Sequence, residues 1–128
     1  MRTKKIKISE AEWEIMKILW NGNPGNGLAL GDIVKELGTE KKWSYTTIRT
    51  LIVRLINKGV VRANTETGVY KYFANISRDE CIQGELKSFI SRIFDDSPSQ
   101  FIATLIDDKG ISEAEKEEIL KIIREKLT

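Results

Sequence analysis

The stretch that most constrains the fold of this chain runs from Trp43 to Gly59. Its apolar residues recur at i, i+3, i+4, i+7 and i+8, which is typical of a helix with one buried face. Ser44 suits the N-cap, because its hydroxyl can accept a hydrogen bond from the first turn, and Gly59 suits the left-handed residue that closes a helix. The apolar stripe consists of Ile48, Leu51, Ile52, Leu55 and Ile56.

The opposite face of this helix is polar, basic and without acids. Arginine and asparagine can hydrogen-bond base edges, and small hydroxyl side chains let a helix approach the floor of a groove. We therefore interpret it as a DNA recognition helix; the alternative is a solvated face that is basic without binding DNA. The face consists of Thr46, Thr47, Arg49, Thr50, Val53, Arg54, Asn57 and Lys58.

A β-hairpin is predicted directly after the recognition helix. One strand begins at Val60, and the other runs from Val69 to Phe73. A basic amphipathic helix followed by a short hairpin is the order of elements in a winged helix, where the hairpin, or wing, lies along the DNA backbone. Arg62 and Lys71 are then the wing residues placed to meet phosphates.

Two further helices are predicted before the recognition helix. Ser9-Glu-Ala-Glu12 is a capping box, which starts a helix that runs to about Trp20. Leu28-Ala-Leu30 is expected to pair with the wing as a short strand. A second helix is expected from about Gly31 to Leu37, with Gly38 just beyond its end, and it forms a helix-turn-helix with the recognition helix.

Residues 77–128 are predicted to form three helices. Their starts are marked by Ser77-Arg-Asp-Glu80, Ser97-Pro98 and Ser112-Glu-Ala-Glu115. About fifty residues bury too little surface to be stable alone, so we expect a second copy to cover their apolar stripes as a homodimer. The predicted dimerisation residues are Ile82, Leu86, Phe89, Ile90, Ile93, Phe94, Phe101, Ile102, Leu105, Ile119 and Ile123.

The predicted fold class is therefore mainly α. A winged helix-turn-helix DNA-binding domain, residues 1–76, is followed by a three-helix dimerisation domain, residues 77–128. Residues 1–76 hold 13 Lys/Arg and 7 Asp/Glu, a net charge of +6, whereas residues 77–128 hold 8 and 12, a net charge of −4. The asymmetry indicates that the first domain meets a polyanion.

Composition argues against an enzyme, a metal site and a membrane protein. The chain has no histidine, the commonest general base and metal ligand, and its one cysteine, Cys81, excludes an internal disulfide. The acid pairs Asp95-Asp96 and Asp107-Asp108 leave a metal-dependent enzyme as an alternative, although we interpret them as solvated charges. No cofactor is predicted. No apolar run approaches the roughly 20 residues of a membrane helix, and no signal-peptide core follows the basic N-terminus, so we predict a cytoplasmic protein.

The sequence resembles the penicillinase and methicillin-resistance repressor family, which also includes copper-responsive repressors. The resemblance rests on the run from Ile8 to Trp20, on Thr47-Ile-Arg-Thr-Leu51 with its flanking Trp43-Ser, Arg54-Leu and Lys58-Gly, and on the wing from Tyr70 to Phe73. It is strong over the first 75 residues and looser beyond. It implies a winged-helix domain and a helical dimerisation domain, which repress transcription on dyad operators.

Site residues follow from the resemblance and from the helix pattern together. The resemblance implies that Thr47, Arg49 and Thr50 face the groove. Family members often have Ser-Pro-Lys where this chain has Ser44-Tyr45-Thr46, so Tyr45 is expected to contact a phosphate instead of the missing lysine. The predicted DNA-binding residues are Tyr45, Thr46, Thr47, Arg49, Thr50, Arg54, Lys58, Arg62 and Lys71.

The resemblance also implies two ways of releasing the repressor. In the antibiotic-resistance branch a protease cuts a helix at a bond that matches Thr104–Leu105 here, although threonine stands where the family has asparagine. In the copper branch a cysteine-rich tail binds metal, and the lone Cys81 does not match it. The sequence thus predicts double-stranded operator DNA and a second copy as partners and leaves an inactivating protease open. The remaining alternative is a winged-helix module that binds an acidic protein and no specific DNA.

Overall fold

The computed structural model of the 128-residue chain describes residues 6–22, 26–66, 68–107 and 109–128. The mainly α fold class is confirmed, with a two-stranded antiparallel hairpin after the third helix. In chain order the elements are α1 (Glu10–Asn21), α2 (Leu30–Glu40), α3 (Tyr45–Asn57), β1 (Val61–Asn64), β2 (Lys71–Ala74), α4 (Arg78–Phe94), α5 (Pro98–Asp107) and α6 (Glu113–Leu127).

Local side-chain hydrogen bonds set the helix starts where the sequence predicts them. The Ser9 hydroxyl accepts from the Glu12 amide at 3.1 Å, and the Glu12 carboxylate accepts from the Ser9 amide at 2.8 Å. Ser112 forms the same capping box at the start of α6. The Ser44 hydroxyl accepts from the amide three residues on, at 3.1 Å, and so starts α3. Each serine satisfies an amide that the first turn leaves without a partner.

The predicted end of α2 is wrong. The helix continues through Gly38 to Glu40, and the Lys41 amide closes the last turn on the Leu37 carbonyl at 2.8 Å. A glycine inside a helix costs about 1 kcal/mol relative to alanine, whereas burying a leucine contributes about 1.5–3 kcal/mol. Leu37 is buried in the core, and the bond from the Lys41 amide to its carbonyl extends the helix past Gly38. The left-handed residue of the turn is Lys42, with φ 57°.

The wing is the hairpin of β1 and β2, and the segment before α2 pairs with it. The pairs Val61 with Ala74 and Arg62 with Phe73 fix the register of β1 on β2. The predicted pairing of Leu28 with the wing is present as a single bridge, because the Leu28 and Tyr72 amides each donate to the other's carbonyl, at 3.0 and 2.8 Å. The predicted strand extends no further, since Leu30 already begins α2.

One hydrophobic core lies between α1, α2, α3 and β1. The three tryptophans border this core half-buried, and the Trp20 indole donates to the Ile76 carbonyl at 3.0 Å. This bond ties the end of α1 to the chain that leaves the hairpin. The buried apolar residues are Ile8, Ile15, Met16, Leu19, Ile33, Leu37, Ile48, Leu51, Ile52, Leu55, Val60, Val61 and Cys81.

The chain divides into two compact units, Met1–Glu85 and Leu86–Thr128, and the division falls inside α4. The start of α4 belongs to the first unit because Cys81 is buried in its core and Glu85 accepts from the Ile8 amide at 3.4 Å. The sequence places the domain boundary earlier, between residues 76 and 77, and the assignment of a separate role to each domain stays a prediction.

The second unit exposes much of its apolar surface. Phe89, Phe94 and Phe101 form a ring cluster with centroids 5.5–5.9 Å apart. Neither α5 nor α6, both fully described, contains a buried residue. The aromatic cluster therefore joins α4 to α5 without enclosing a core.

The described residues contain no candidate membrane span and no candidate metal site. None of the described helices is long and apolar enough to cross a membrane. The same residues contain no group of three histidine, cysteine or acidic side chains arranged to hold a metal ion. Of the two acid pairs that left a metal-dependent enzyme open, Asp95 and Asp96 both adopt left-handed conformations just after α4, with φ 49° and 65°. The other pair includes Asp108, which lies outside the described residues.

Candidate nucleic-acid interface

Helix α3 has one buried and one exposed face, as its sequence pattern predicts. The buried face lies in the core through Ile48, Leu51, Ile52 and Leu55. The burial of this face fixes which side chains point away from the protein. The structure therefore brings six of the nine predicted DNA-binding residues together on exposed positions of one helix: Tyr45, Thr46, Thr47, Arg49, Thr50 and Arg54.

The N-terminal end of α3 is suited to an anion. Its first turn carries no acidic residue. The free amides and the helix dipole make such an end electropositive, and phosphate binding at helix N-termini follows from both. Tyr45 is 56% exposed there, and the Ser44 hydroxyl donates to the Thr47 hydroxyl at 3.0 Å, which orients the Thr47 side chain.

Two wing tyrosines beside α3 were not predicted as site residues. The rings of Tyr70 and Tyr72 stack with centroids 6.2 Å apart, and Tyr70 is 61% exposed. Burial raises the pKa of Tyr72; the Arg49 guanidinium offsets this in part, and the hydroxyls of Tyr70 and Tyr45 add to it. These electrostatic contacts place the tyrosines near the basic face of α3. The available sequence signal was the alternation Tyr-Lys-Tyr, which puts Tyr70 and Tyr72 on the same side of the strand.

The predicted wing cations lie on the other face of the hairpin. Arg62 pairs with Phe73, and its guanidinium lies 4.2 Å from the centre of that ring. Arg62 also lines an open cavity of about 480 Å³ at the base of the wing, together with Trp20 and Glu80 among others. Lys71 is half-buried and lies two pairs nearer the hairpin tip, where it pairs with Asn64. The two cations share a face because side chains alternate along each strand.

Lys58 has a different environment from the other predicted DNA-binding residues. Its ammonium group donates to the Glu12 carboxylate and, at 2.6 Å, to the Lys7 carbonyl. Burial raises the pKa of Glu12, but the hydrogen bonds from Lys58 and Ser9 and the Lys58 charge outweigh it and hold the pKa below the ordinary value of 4.5. The Glu12 side chain is thus an anion inside the core with a cation bound to it.

The predicted dimerisation residues lie on α4, α5 and α6, and several are exposed. Ile93 is 54% exposed, which is unusual for an isoleucine in a folded chain. At the predicted protease site Thr104 is exposed and Leu105 half-buried in the middle of α5. The exposed members of the dimerisation set are Ile82, Leu86, Phe89, Ile93, Ile102 and Ile123, and the half-buried members are Ile90, Phe94, Phe101, Leu105 and Ile119.

These features define the class of the first unit as a winged helix-turn-helix DNA-binding domain. Helix α2 braces α3, and the hairpin flanks the exposed basic face of α3. The family described as "Penicillinase repressor" matches residues 8–125. The chain belongs to this family, whose members are transcriptional repressors and not enzymes.

Individual relatives are similar in sequence over nearly the whole chain. The methicillin resistance regulatory protein MecI of Staphylococcus aureus (strain N315) is 29% identical over 126 residues, which cover 98% of this chain and 100% of MecI. The penicillinase repressor of Bacillus licheniformis is 32% identical over 123 residues, which cover 95% and 94% of the two chains. Similarity therefore extends through the second unit as well as the first.

Two solved structures are similar to the first unit. The solution structure of the DNA-binding domain of the repressor BlaI has a TM-score of 0.52 at 34% identity and covers 62% of this chain and 93% of that one. The Bacillus licheniformis BlaI monomeric form, solved with the blaP half-operator, has a TM-score of 0.53 at 35% identity and covers 60% and 90%. The predictions of a winged-helix fold, of the repressor family and of a non-enzymatic function are confirmed.

Proposed function

We propose that this repressor binds a dyad operator as a homodimer and inserts α3 of each copy into the major groove. The observation that carries the proposal is the exposed, acid-free basic face of α3, on a domain similar to one solved with a half-operator. The repressor would act by occupying its operator and excluding polymerase. It would do so in the cytoplasm, as the sequence predicts.

The exposed residues of α3 divide into two roles. Thr47, Arg49 and Thr50 lie within one helical turn, and we assign them to the bases at the groove floor. Tyr45 lies at the electropositive N-terminus, and Arg54 lies one to two turns further along, so both are assigned to backbone phosphates. Phosphate contacts supply most of the affinity, whereas base contacts distinguish sequences.

The wing contributes Lys71 and Arg62 to the phosphate contacts in this proposal. The ring of Phe73 holds the Arg62 guanidinium from one side, which reduces the number of orientations that the arginine must lose on binding. Thr46 is exposed on the first turn of α3 and is assigned to the backbone beside Tyr45. In this proposal the wing and the start of α3 both contact backbone phosphates of the same duplex.

The exposed apolar surface of the second unit supports the homodimer. Stable interfaces bury about 800 Å² on each partner and concentrate apolar and aromatic side chains at their centre. The exposed isoleucines of α4 and α6 and the phenylalanine cluster of α4 and α5 provide side chains of this kind. A second copy of the same surface would cover them and relate two α3 helices by a two-fold axis.

Proteolytic release would require a cut within the second unit, at the bond that matches the family's cleavage site. The Thr104–Leu105 bond lies inside α5, and a protease must unfold a helix locally before it can cut. The absence of buried residues in α5 favours such local unfolding. Incubation with the activated protease of a related system, followed by mass measurement of the fragments, tests it; an intact chain would contradict it.

The central test compares Arg49→Ala with Arg124→Ala, an identical loss of charge on α6. Affinity is measured for an operator selected by the wild-type chain from a random pool and for a scrambled duplex. Arg49→Ala should cost about 1–3 kcal/mol on the operator and relax specificity at one base pair. Arg124→Ala should change neither affinity by more than about 0.5 kcal/mol.

Three outcomes would count against the proposal. If Arg49→Ala weakens both duplexes equally, Arg49 binds a phosphate and not a base. If it changes neither affinity, α3 is not the recognition helix. If the wild-type chain selects no sequence, the basic face binds an acidic protein instead, which is the alternative that the sequence leaves open.

A further inference from the structure

Glu12 is the one charged side chain that the core buries among the described residues, with 1% of its surface exposed. Burying a carboxylate costs several kcal/mol unless charged and hydrogen-bonded partners surround it. Glu12 has both kinds of partner, since it accepts from the Ser9 amide at 2.8 Å and from the Lys58 ammonium. The capping box needs only the first of these bonds. The second joins α1 to the end of α3.

Lys58 is the C-cap residue of α3, at the end of the helix opposite to Ser44. A cation stabilises the electronegative C-terminal end of a helix. Its ammonium group has three N–H donors, and two acceptors inside the protein, Glu12 and the Lys7 carbonyl, already engage it. A phosphate could use only the third donor, and the Glu12 carboxylate beside it would repel the phosphate.

Glu12 and Lys58 are 46 residues apart in sequence, and their ion pair joins the start of α1 to the end of α3. The apolar stripe of α3 also packs on α1, but the hydrophobic effect that drives this contact is non-directional. The ion pair tolerates little displacement of α3 relative to α1, because any shift that separates the two groups leaves Glu12 buried without its cation. The pair therefore restricts the position of α3 along its own axis.

We infer that Glu12 and Lys58 are positioning residues, which hold the recognition helix at the position along its axis where its base-contacting side chains reach the groove floor. Lys58 acts through this pair and binds no phosphate. The inference rests on the proposed function, since it concerns how the DNA-binding face is presented. It also replaces the DNA contact predicted for Lys58 from the sequence with a different role at the same interface.

The test measures Lys58→Met, Lys58→Arg and Glu12→Gln for binding to the wild-type-selected operator and to a scrambled duplex across a range of salt concentrations. Met removes the charge and keeps most of the length, Arg keeps the charge, and Gln keeps an oxygen for the Ser9 amide. Circular dichroism at the binding temperature confirms that each variant is folded. A merely destabilised but folded protein would keep wild-type affinity.

The expected result for Lys58→Met is an operator affinity about tenfold weaker, comparable to the loss of one base contact, with unchanged affinity for the scrambled duplex and an unchanged salt slope. Lys58→Arg should restore operator affinity. Glu12→Gln should lower operator affinity as Lys58→Met does, and it serves as the second test where Lys58→Met does not fold.

Other results would overturn the inference. A phosphate-binding Lys58 would lower both affinities equally when replaced by Met and reduce the salt slope by about 0.9. In that case Glu12→Gln would free the ammonium and strengthen binding to both duplexes. Unchanged affinities in both variants would show that α3 is positioned without the pair. A failure of the proposed function can be distinguished from these results, because the wild-type chain would then show no preference for an operator.

Discussion

Alanine substitution at Gly27 should destabilise the protein more than the same substitution at any other described glycine outside a helix. Gly27 has φ +67°, and a Cβ built there would lie 2.6 Å from the ring tip of Phe73 and 2.8 and 2.9 Å from the two adjoining ring atoms. A left-handed alanine costs about 1–2 kcal/mol, and forcing a packed ring to move costs about 1–3 kcal/mol. We expect Gly27→Ala to lower the free energy of unfolding by about 2–5 kcal/mol.

Two control variants separate the contributions. Gly59 has φ +82° but no atom within 4 Å of the added Cβ, so Gly59→Ala should cost only the left-handed backbone, about 1–2 kcal/mol. Gly84 lies inside α4 with open space around it, so Gly84→Ala should stabilise by about 0.5–1 kcal/mol. Urea denaturation of the three variants, followed by circular dichroism, provides the comparison. The reasoning is refuted if Gly27→Ala costs no more than Gly59→Ala.

Three further predictions concern single groups in the first unit. The pKa of Glu12 is lower in the folded chain than its ordinary 4.5, so its stabilising contribution is full above about pH 5.5 and is lost as pH falls through the folded pKa. Glu12→Gln should therefore be less stable than wild type at pH 7, and urea titrations should show that this difference in stability narrows on acidification. A difference that stays constant with pH would contradict the prediction. Trp20→Phe removes the indole bond to the Ile76 carbonyl and should cost about 1–3 kcal/mol in the same assay; no change would show that water replaces it. Burial, with the Glu85 charge, raises the pKa of Cys81, so a thiol reagent at pH 8 should label the folded chain far more slowly than the unfolded chain; equal rates would place the thiol outside the core.

The sequence predicts those parts of the fold that depend on neighbouring residues. Helix starts at Ser9, Ser44 and Ser112 depend on a side chain and an amide three residues away, so a capping pattern is sufficient to place them. The end of α2 depends on Leu37 packing in the core, which the local pattern around Gly38 does not contain. The neighbouring sequence does not distinguish a glycine inside a helix from a glycine just beyond its end.

The candidate site shows the same difference between features set by neighbouring residues and features set by distant ones. The stripe of α3 determines its exposed face, so the exposed positions of this helix are predictable from periodicity alone. The Glu12–Lys58 pair is not, because each residue has a sufficient local explanation: Glu12 completes a capping box, and Lys58 ends a basic helix. Similarly, the hairpin pattern predicts that Arg62 lies in the wing but not that Phe73 supports its guanidinium. Contacts between distant residues require the tertiary fold.

The most direct test of the account is the mass of the complex formed on a selected dyad, compared with the same duplex after one half-site is scrambled. Sedimentation or native mass spectrometry counts the chains on each DNA. The account predicts two chains on the intact dyad at concentrations where the half-scrambled duplex is mostly free, because both α3 helices must engage for full affinity. One chain per dyad, or equal occupancy of the two duplexes, would contradict a dimeric repressor that reads a palindrome.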